Sequence, residues 1–258
     1  MTRVITAIGL IAVALYLIFW APSWLFLAAA AVMGLICYHE YSGLVVGHGI
    51  QRPGIFGMLA GLLLVFYSAY AVPGLSILVI IALATALRYA DLRDVLPQVA
   101  CAFLGALYTF APWYFATLLR AASVHWLLFA LALNWAGDSV AYYVGRSLGK
   151  HPLAPTVSPK KSWEGAIGSV AGSVVFGCLY MGHFMPSVAL WKVAVIAVVA
   201  NVAGQFGDLA ESAMKRGAGV KDSGNILPGH GGILDRVDSS LFALPVVYIL
   251  LALFAYAH

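Results

Sequence analysis

Charged residues are scarce in this chain of 258 residues. Lysine and arginine together number 14, aspartate and glutamate number 10, and hydrophobic residues make up 63% of the sequence. With a mean hydropathy of +0.95, the chain cannot be an ordinary soluble globular protein, which needs far more charge on its surface. Cysteines are also few. Cys37, Cys101 and Cys178 all fall within apolar runs at no metal-like spacing, which excludes a disulfide framework.

Apolar runs long enough to cross a bilayer recur along the chain. Because hydrocarbon offers no water to the backbone, runs of this length must be helices. The sequence therefore predicts an all-α integral membrane protein, a polytopic bundle of about nine transmembrane helices. The predicted spans lie near 4–20, 23–41, 55–72, 74–90, 96–118, 124–145, 165–183, 188–212 and 240–257.

The cations are distributed unevenly between the predicted loops. If the amino terminus is cytoplasmic, twelve of the lysines and arginines lie inside and only Arg120 and Lys192 lie outside. The inside loops are then 42–54, 91–95, 146–164 and 213–239. This is a clear positive-inside bias. The net charge of +4 therefore indicates topology and affinity for anionic lipid or phosphate, and it gives no sign of nucleic-acid binding.

The ionisable groups divide the chain into two regions. Residues 1–125 carry few of them, and we interpret this region as a scaffold and lipid-facing wall whose charges solvate its turns. Those charges are Glu40, Arg52, Arg88, Asp91, Arg93, Asp94 and Arg120. Residues 126–258 hold the polar motifs and are predicted to form the catalytic membrane region with its cytoplasmic loops.

Two pairs of glycines have the small-xxx-small spacing that lets helices approach closely. They are Gly57 with Gly61 and Gly168 with Gly172. Such faces serve packing within one chain or between two chains, so a homodimer is left open.

The densest charge lies in the segment SAMKRGAGVKDSGNILPGHGGILDRVD, from Ser212 to Asp238. Seven charged side chains of both signs surround a Gly-rich turn there. Carboxylates bind hard cations, and lysine and arginine bind phosphate, so the segment is typical of a site for a phosphate-bearing substrate. A basic loop that only sets topology is the alternative. We predict that Asp208, Asp235 and Asp238 converge on a divalent ion, Mg²⁺ by ligand type, with a second cation left open.

Polar residues also mark the predicted helices before this segment. Asn201, Gln205, Asp208, Ser212 and Lys215 follow one another at steps of four, three, four and three, which places them on one helix face. Further upstream, Asn134 and Asp138 are four residues apart and share a helix face as well. A carboxylate inside a membrane span is costly and usually serves a site or an ion pair.

The loop after Asp138 is basic and rich in proline. Its cations are Arg146, Lys150, Lys160 and Lys161, and its prolines are Pro152, Pro155 and Pro159. Ser158 and the two adjacent lysines stand just before a predicted helix, whose free amide groups and dipole would add to a phosphate seat. By themselves these cations are equally a positive-inside anchor.

Both polar segments resemble the phosphatidate cytidylyltransferases (CDP-diacylglycerol synthases). The downstream resemblance covers eleven specified positions in 27 residues. They are Ser212, Lys215-Arg216, Lys221-Asp222, His230-Gly231-Gly232, Asp235-Arg236 and Asp238. The upstream resemblance rests on Asp138-Ser139, Ala141-Tyr142, Gly145-Arg146, Gly149-Lys150-His151 and the run from Ser158 to Gly165. Pro152 departs from it, since many members carry a basic residue there.

The resemblance implies transfer of CMP from CTP to phosphatidate, which gives CDP-diacylglycerol and pyrophosphate for phospholipid synthesis. From the oxygen ligands we expect Mg²⁺ as cofactor. We also expect membrane lipid as a partner and a place in a bacterial inner membrane, with the active site facing the cytoplasm as the distribution of cations indicates. Expected catalytic residues are Asp208, Lys215, Lys221, Asp222, Asp235, Arg236 and Asp238. Expected substrate-binding residues are Asp138, Arg146, Lys150, Ser158, Lys160, Lys161, Ser212, Arg216, Ser223, His230, Gly231 and Gly232.

Other functions use similar residues. Another CTP-dependent lipid phosphotransferase, such as a polyprenol kinase, is one alternative. A CDP-alcohol phosphatidyltransferase is disfavoured, because its Asp-Gly-x-x-Ala-Arg pattern is absent from the chain. A secondary transporter also carries charge inside the membrane, but the chain shows no convincing internal repeat of the kind from which such folds are commonly built.

Overall fold

A computed structural model describes residues 2–226 and 231–256, and within these ranges it contains nine α-helices and one two-stranded sheet. The helices are α1 (Thr2–Phe19), α2 (Ser23–Gly47), α3 (Ile55–Phe66), α4 (Ala71–Ala86), α5 (Val95–Ala122), α6 (Val124–Leu148), α7 (Trp163–Phe184), α8 (Leu190–Gly217) and α9 (Leu234–Tyr256). The strands are β1 (Pro152–Ala154) and β2 (Ser158–Ser162). Short 3-10 turns at Ser68–Tyr70 and Leu92–Asp94 precede α4 and α5.

Seven of the described helical stretches are long and apolar enough to cross a membrane. They are Ser23–Gly47, Ser68–Ala86, Leu92–Ala122, Val124–Leu148, Trp163–Phe184, Leu190–Gly217 and Leu234–Phe254. The chain is thus an all-α integral membrane protein, as the sequence predicts, and the number of described α-helices agrees with the nine expected.

The predicted spans at 55–72 and 74–90 have different bounds in the structure. α3 is only 12 residues long and ends at Phe66, and α4 begins at Ala71. Pro73 lies in the first turn of α4, where its missing N–H removes no helical hydrogen bond. The proline therefore favours a new helix that begins just before it.

One compact unit of the chain comprises residues 1–117 together with 214–236. Its core includes Tyr38 and Phe110, both almost fully buried. A Cβ added at Gly61 would overlap the ring of Phe110, and one added at Gly57 would overlap the hydroxyl of Tyr38. This first small-xxx-small face therefore packs within the chain.

The other compact unit comprises residues 118–213 together with 237–258. In it α6 and α7 pack along each other. A Cβ at Gly172 would come within 2.6 Å of Val140, and one at Gly168 would come within 3.0 Å of Val144. The second small-xxx-small face is therefore also used inside the chain. The assignment of scaffold and catalytic roles to residues 1–125 and 126–258 stays a prediction.

The basic segment between α6 and α7 is a β-hairpin, where the sequence predicted only a proline-stiffened loop. β1 pairs antiparallel with β2, with Pro152 opposite Ser162 and Ala154 opposite Ser158. A two-stranded sheet consists of edges alone, and prolines are tolerated in edge strands. Three prolines are therefore compatible with this hairpin.

Both ends of the hairpin are held by hydrogen bonds. Glu164 accepts a bond from the backbone N–H of Lys150 at 3.2 Å and lies 2.6 Å from Nδ1 of His151. Ser162 is the N-cap of α7, because its Oγ accepts from the N–H of Gly165 at 3.1 Å. The lysines of β2 are thus presented by an ordered element.

Candidate active site

A polar cavity of about 280 Å³ lies within the unit formed by residues 118–213 and 237–258. Side chains from α6, the hairpin, α7 and α8 line it, together with Ser239 on α9. Its polar lining includes Asn134, Asp138, Tyr142, Lys160, Lys161, Ser162, Ser169, Gln205 and Asp208. Four of the predicted site residues, two carboxylates and two lysines, are therefore brought to one cavity by three different elements.

An ion pair between Lys161 and Asp208 forms one part of this cavity. Nζ of Lys161 donates to Oδ2 of Asp208, and the hydroxyl of Ser212 donates to Oδ1 at 3.3 Å. Both charged side chains remain about one-third exposed, at 30% and 32%. Asp138 is close enough to interact electrostatically with both of them. The cavity thus offers accessible groups of both signs to a ligand.

A network of uncharged polar side chains is buried among the same helices. Nδ2 of Asn201 donates to the hydroxyls of Ser169 and Ser173, at 3.0 and 2.8 Å. Gln205 donates from Nε2 to Oδ1 of Asn201 at 2.7 Å. With Ser212 bonded to Asp208, the stripe predicted on α8 contains two hydrogen-bonded pairs, Asn201 with Gln205 and Asp208 with Ser212. Buried amides and hydroxyls paired in this way fix the helices around the cavity.

Among the predicted substrate-binding residues that precede α7, Arg146, Lys150 and Ser158 are not among the described residues that line the polar cavity. Arg146 is exposed and donates from Nη1 to the hydroxyl of Tyr142 at 3.1 Å. Lys150 is exposed, and its backbone is bonded to Glu164. Ser158 starts β2 opposite Ala154. Their roles as substrate contacts stay predictions.

A second ion pair, Lys215 with Asp235, lies in the unit formed by residues 1–117 and 214–236. Nζ and Oδ1 are 2.6 Å apart, and the side chains are only 12% and 9% exposed. The other oxygen, Oδ2, accepts from the N–H of Gly232 at 2.8 Å and from both the N–H and the hydroxyl of Ser223 at 3.0 Å. Asp235 is therefore held far more tightly than Asp208.

The described residues between α8 and α9, 218–226 and 231–233, are called the signature loop below. Gly231 has a φ of 80°, a left-handed conformation that favours glycine. Lys221 and Asp222 are exposed, as are Arg216 and Arg236 at the flanking helix ends. His230 lies outside the described residues. The predicted roles of all five in catalysis or substrate binding stay predictions.

The interpretation of Glu40 as a turn-solvating charge is wrong. Glu40 lies on α2 and is only 3% exposed. Its carboxylate accepts from the backbone N–H groups of Ile233 and Leu234, at 3.0 and 2.7 Å, and its Oε2 lies 3.2 Å from the hydroxyl oxygen of Ser223. A lone carboxylate inside the apolar run 23–41 was the available signal, because such a charge usually has a partner.

The polar cavity contains carboxylate oxygens, which are the type of ligand that a magnesium ion prefers. Mg²⁺ is commonly bound by one or two carboxylates together with water and substrate phosphates, and Asp138 and Asp208 share the cavity. Across residues 2–226 and 231–256, no group of three or more His, Cys, Asp or Glu is placed to hold a metal by itself. The predicted set of Asp208, Asp235 and Asp238 stays a prediction. Oδ1 of Asp238 accepts from the N–H of Ser239 at 2.7 Å.

The fold and these clusters define an integral membrane protein with charged sites suited to a phosphate-bearing substrate. The chain belongs to the cytidylyltransferase family, whose sequence profile matches residues 1–254. It is therefore a nucleotidyltransferase.

Several bacterial proteins named phosphatidate cytidylyltransferase are similar to the chain. The protein from Brucella melitensis is 33% identical over 264 residues, which cover 98% of this chain and 94% of that protein. The protein from Staphylococcus haemolyticus is 34% identical over 86% of this chain and 88% of its own length. The one from Staphylococcus saprophyticus is 41% identical over 163 residues, and the chain spans 60% of its length.

Proposed function

We propose that the protein is a phosphatidate cytidylyltransferase, which converts CTP and phosphatidate into CDP-diacylglycerol and pyrophosphate. Membership of the cytidylyltransferase family and the names of the relatives support this substrate pair. The observation that carries the proposal is the Lys161–Asp208 pair, which lies with Asp138 in a polar cavity among apolar helices.

The reaction requires neutralisation of the negative charge on the phosphate groups, and it does not require a nucleophile from the protein. An oxygen of the phosphatidate phosphate attacks the α-phosphorus of CTP and forms a new P–O bond. The bond from the α-phosphorus to the oxygen bridging the α- and β-phosphates breaks, and that oxygen leaves with pyrophosphate. An ionised phosphate monoester is already nucleophilic, so a serine or cysteine nucleophile is unnecessary. Lys160 and Lys161, which line the cavity, would neutralise the phosphoryl oxygens, on which negative charge accumulates.

We further propose that the reaction depends on Mg²⁺. A bound magnesium ion would neutralise phosphate charge and orient the phosphate groups. Asp138 and Asp208 would hold it from the protein side, with Asp235 and Asp238 as the other predicted ligands. The pairing of Lys161 with Asp208 supports this arrangement, because a ligand phosphate can take over the lysine and free the carboxylate for the cation.

The proposed partners are CTP, phosphatidate and the surrounding lipid of a bacterial inner membrane. We place the active site on the cytoplasmic side, because CTP is made in the cytosol and its charge prevents unaided passage through a bilayer. The distribution of lysine and arginine supports the same orientation.

Purified protein in detergent should be incubated with CTP labelled at the α-phosphate, phosphatidate and Mg²⁺. The expected products are labelled CDP-diacylglycerol and an equal amount of pyrophosphate, and chelation of the metal should stop the reaction until Mg²⁺ is restored. A polyprenol in place of phosphatidate tests the kinase alternative. Substrate flux into liposomes without nucleotide turnover would identify a transporter and overturn the proposal.

A further inference from the structure

The signature loop and the start of α9 are hydrogen-bonded to the carboxylate of Glu40, which is distant in the sequence. Glu40 on α2 bonds to Ile233 and Leu234, which are 193 and 194 residues away along the chain. Leu234 is the first residue of α9. The carboxylate therefore satisfies backbone donors at the amino terminus of that helix, where negative charge is stabilised by the helix dipole.

Two glycines of the signature loop are required by the same carboxylate. A Cβ at Gly224 would lie 2.6 Å from Oε1 of Glu40. A Cβ at Gly232 would lie 2.6 and 2.7 Å from its two oxygens, and it would also overlap the hydroxyl of Ser223. The loop backbone approaches Glu40 at both glycines, at distances that leave no space for a side chain.

Ser223 connects Glu40 to the buried ion pair. Its hydroxyl is 3.2 Å from Oε2 of Glu40 and 3.0 Å from Oδ2 of Asp235, and its N–H donates to the same oxygen of Asp235 at 3.0 Å. With the N–H of Gly232, these donors fill Oδ2 and direct Oδ1 towards Lys215. The orientation of the Lys215–Asp235 pair thus depends on a backbone that Glu40 holds.

We infer that Glu40 is a positioning residue for the nucleotidyl transfer. It fixes the signature loop and the start of α9, so that Asp235 and Lys215 keep their catalytic orientation. This inference rests on the proposed function for its kinetic consequence, whereas its structural part stands on the hydrogen bonds alone. The amino-terminal region, interpreted from sequence as scaffold, thus contains one residue that acts on the reaction.

Glu40→Gln separates this role from packing. Glutamine has nearly the same size, but its NH₂ group would face one of the donors that now reach a carboxylate oxygen, and a donor cannot accept. Because hydrogen bonds to charged groups are strong, we expect kcat to fall about tenfold to a hundredfold. The KM values for CTP and phosphatidate should stay within about threefold, since the inferred role concerns orientation rather than substrate contact.

Tyr41→Phe provides the matched control. Tyr41 is the next residue on α2, is equally buried, and donates its hydroxyl to the carbonyl of Cys101 at 3.1 Å. Loss of this hydroxyl should lower the unfolding temperature by an amount similar to that of Glu40→Gln while kcat stays within about twofold, because the hydrogen bond that is removed joins α2 to α5 and does not reach the loop. Gly232→Ala displaces the same contact from the loop side and should reproduce the loss of kcat.

Hydrogen exchange of the purified variants supplies a readout without turnover. Glu40→Gln should speed exchange in peptides covering 222–226 and 231–236, and Tyr41→Phe should not. Wild-type kcat and unchanged exchange in Glu40→Gln would overturn the inference, as would equal losses of kcat in both variants. If Glu40→Gln does not fold, Glu40→Asp and Gly232→Ala provide the same comparison. A wild-type protein without CDP-diacylglycerol synthesis would instead refute the proposed function, and the exchange result would still decide the role of Glu40 in the fold.

Discussion

Lys161, on the second strand of the hairpin, forms an ion pair with Asp208 on α8, 47 residues further along the chain. The pair is partly open to ligand and has Asp138 beside it, whereas the Lys215–Asp235 pair is buried and both oxygens of Asp235 accept hydrogen bonds. The two pairs therefore suit different tasks. An accessible pair can exchange its partner for a phosphate or a cation, and a buried pair is better suited to hold a fixed geometry.

Replacing Lys161 with methionine should lower kcat/KM for CTP by about a hundredfold or more, as loss of an electrostatic transition-state contact typically does. Arg93→Met is the matched control, since it removes an exposed cation from the 3-10 turn before α5 and should leave turnover near wild type. The double variant Lys161→Met with Asp208→Asn should lose less than the two single losses combined, because the residues act as a pair. Equal losses in the Lys161 and Arg93 variants would favour a general effect of positive charge on topology.

Asp235→Asn keeps the size of the side chain and removes its charge, so turnover should fall by orders of magnitude while the protein still inserts and purifies. Activity measured against Mg²⁺ concentration separates two roles of Asp235. If Asp235 is a magnesium ligand, Asp235→Asn should raise the Mg²⁺ requirement, and Lys215→Met should not. If the ion pair alone matters, both variants should lose turnover alike with an unchanged Mg²⁺ requirement. Near-normal turnover of Asp235→Asn at limiting Mg²⁺ would remove the residue from the site.

The buried polar network should be sensitive to a single methyl group. A Cβ at Gly137 on α6 would come within 2.6–2.7 Å of Ser169, Ser173 and Asn201, so Gly137→Ala should destabilise the protein by about 1–3 kcal/mol. Gly182→Ala on α7 is the control, because its Cβ would meet Leu190 at an ordinary 3.4 Å. Both changes gain the same helix propensity, so the difference between their thermal unfolding curves in detergent measures the packing effect. Equal unfolding temperatures would show that the helices adjust without cost.

The amino terminus should face the cytoplasm, the carboxyl terminus should face outside, and the signature loop should lie inside. Val220 is an exposed loop residue and Ser187, between α7 and α8, is exposed as well, so each is a suitable cysteine position after the three native cysteines are replaced by alanine. An impermeant thiol reagent should label Ser187→Cys in intact cells and Val220→Cys only after the membrane is opened. Labelling of Val220→Cys from outside would invert the topology and contradict a cytosolic supply of CTP.

The class of fold could be predicted from the sequence. A long apolar run spans the hydrocarbon layer, and there its backbone N–H and C=O groups must bond to each other, which a helix achieves by itself. The sequence also identified the α8 stripe, since residues three or four apart share a helix face whatever packs against them. The hairpin was missed because Pro152, Pro155 and Pro159 argue against strands in general, and only the pairing of β1 with β2 shows that these are edge strands.

The two lysine–aspartate pairings could not be read from spacing. Lys161 and Lys160 are adjacent, and only the hairpin geometry decides that Lys161 reaches Asp208. Glu40 was misjudged for a related reason. A lone carboxylate in the apolar run 23–41 indicates that a partner exists, but only the structure shows that the partners are the distant N–H groups of Ile233 and Leu234.

The close fit of Gly224 and Gly232 around Glu40 limits how residues 212–238 can be transplanted into another protein. A segment that folds around its own residues can be grafted onto a foreign scaffold as a cassette. Residues 212–238 lack that independence, because the acceptor for the first N–H groups of α9 resides on α2. A designer who transplants the motif must also bring the end of α2 with Glu40 in register, so the smallest transferable part of this enzyme comes from two distant stretches of the gene.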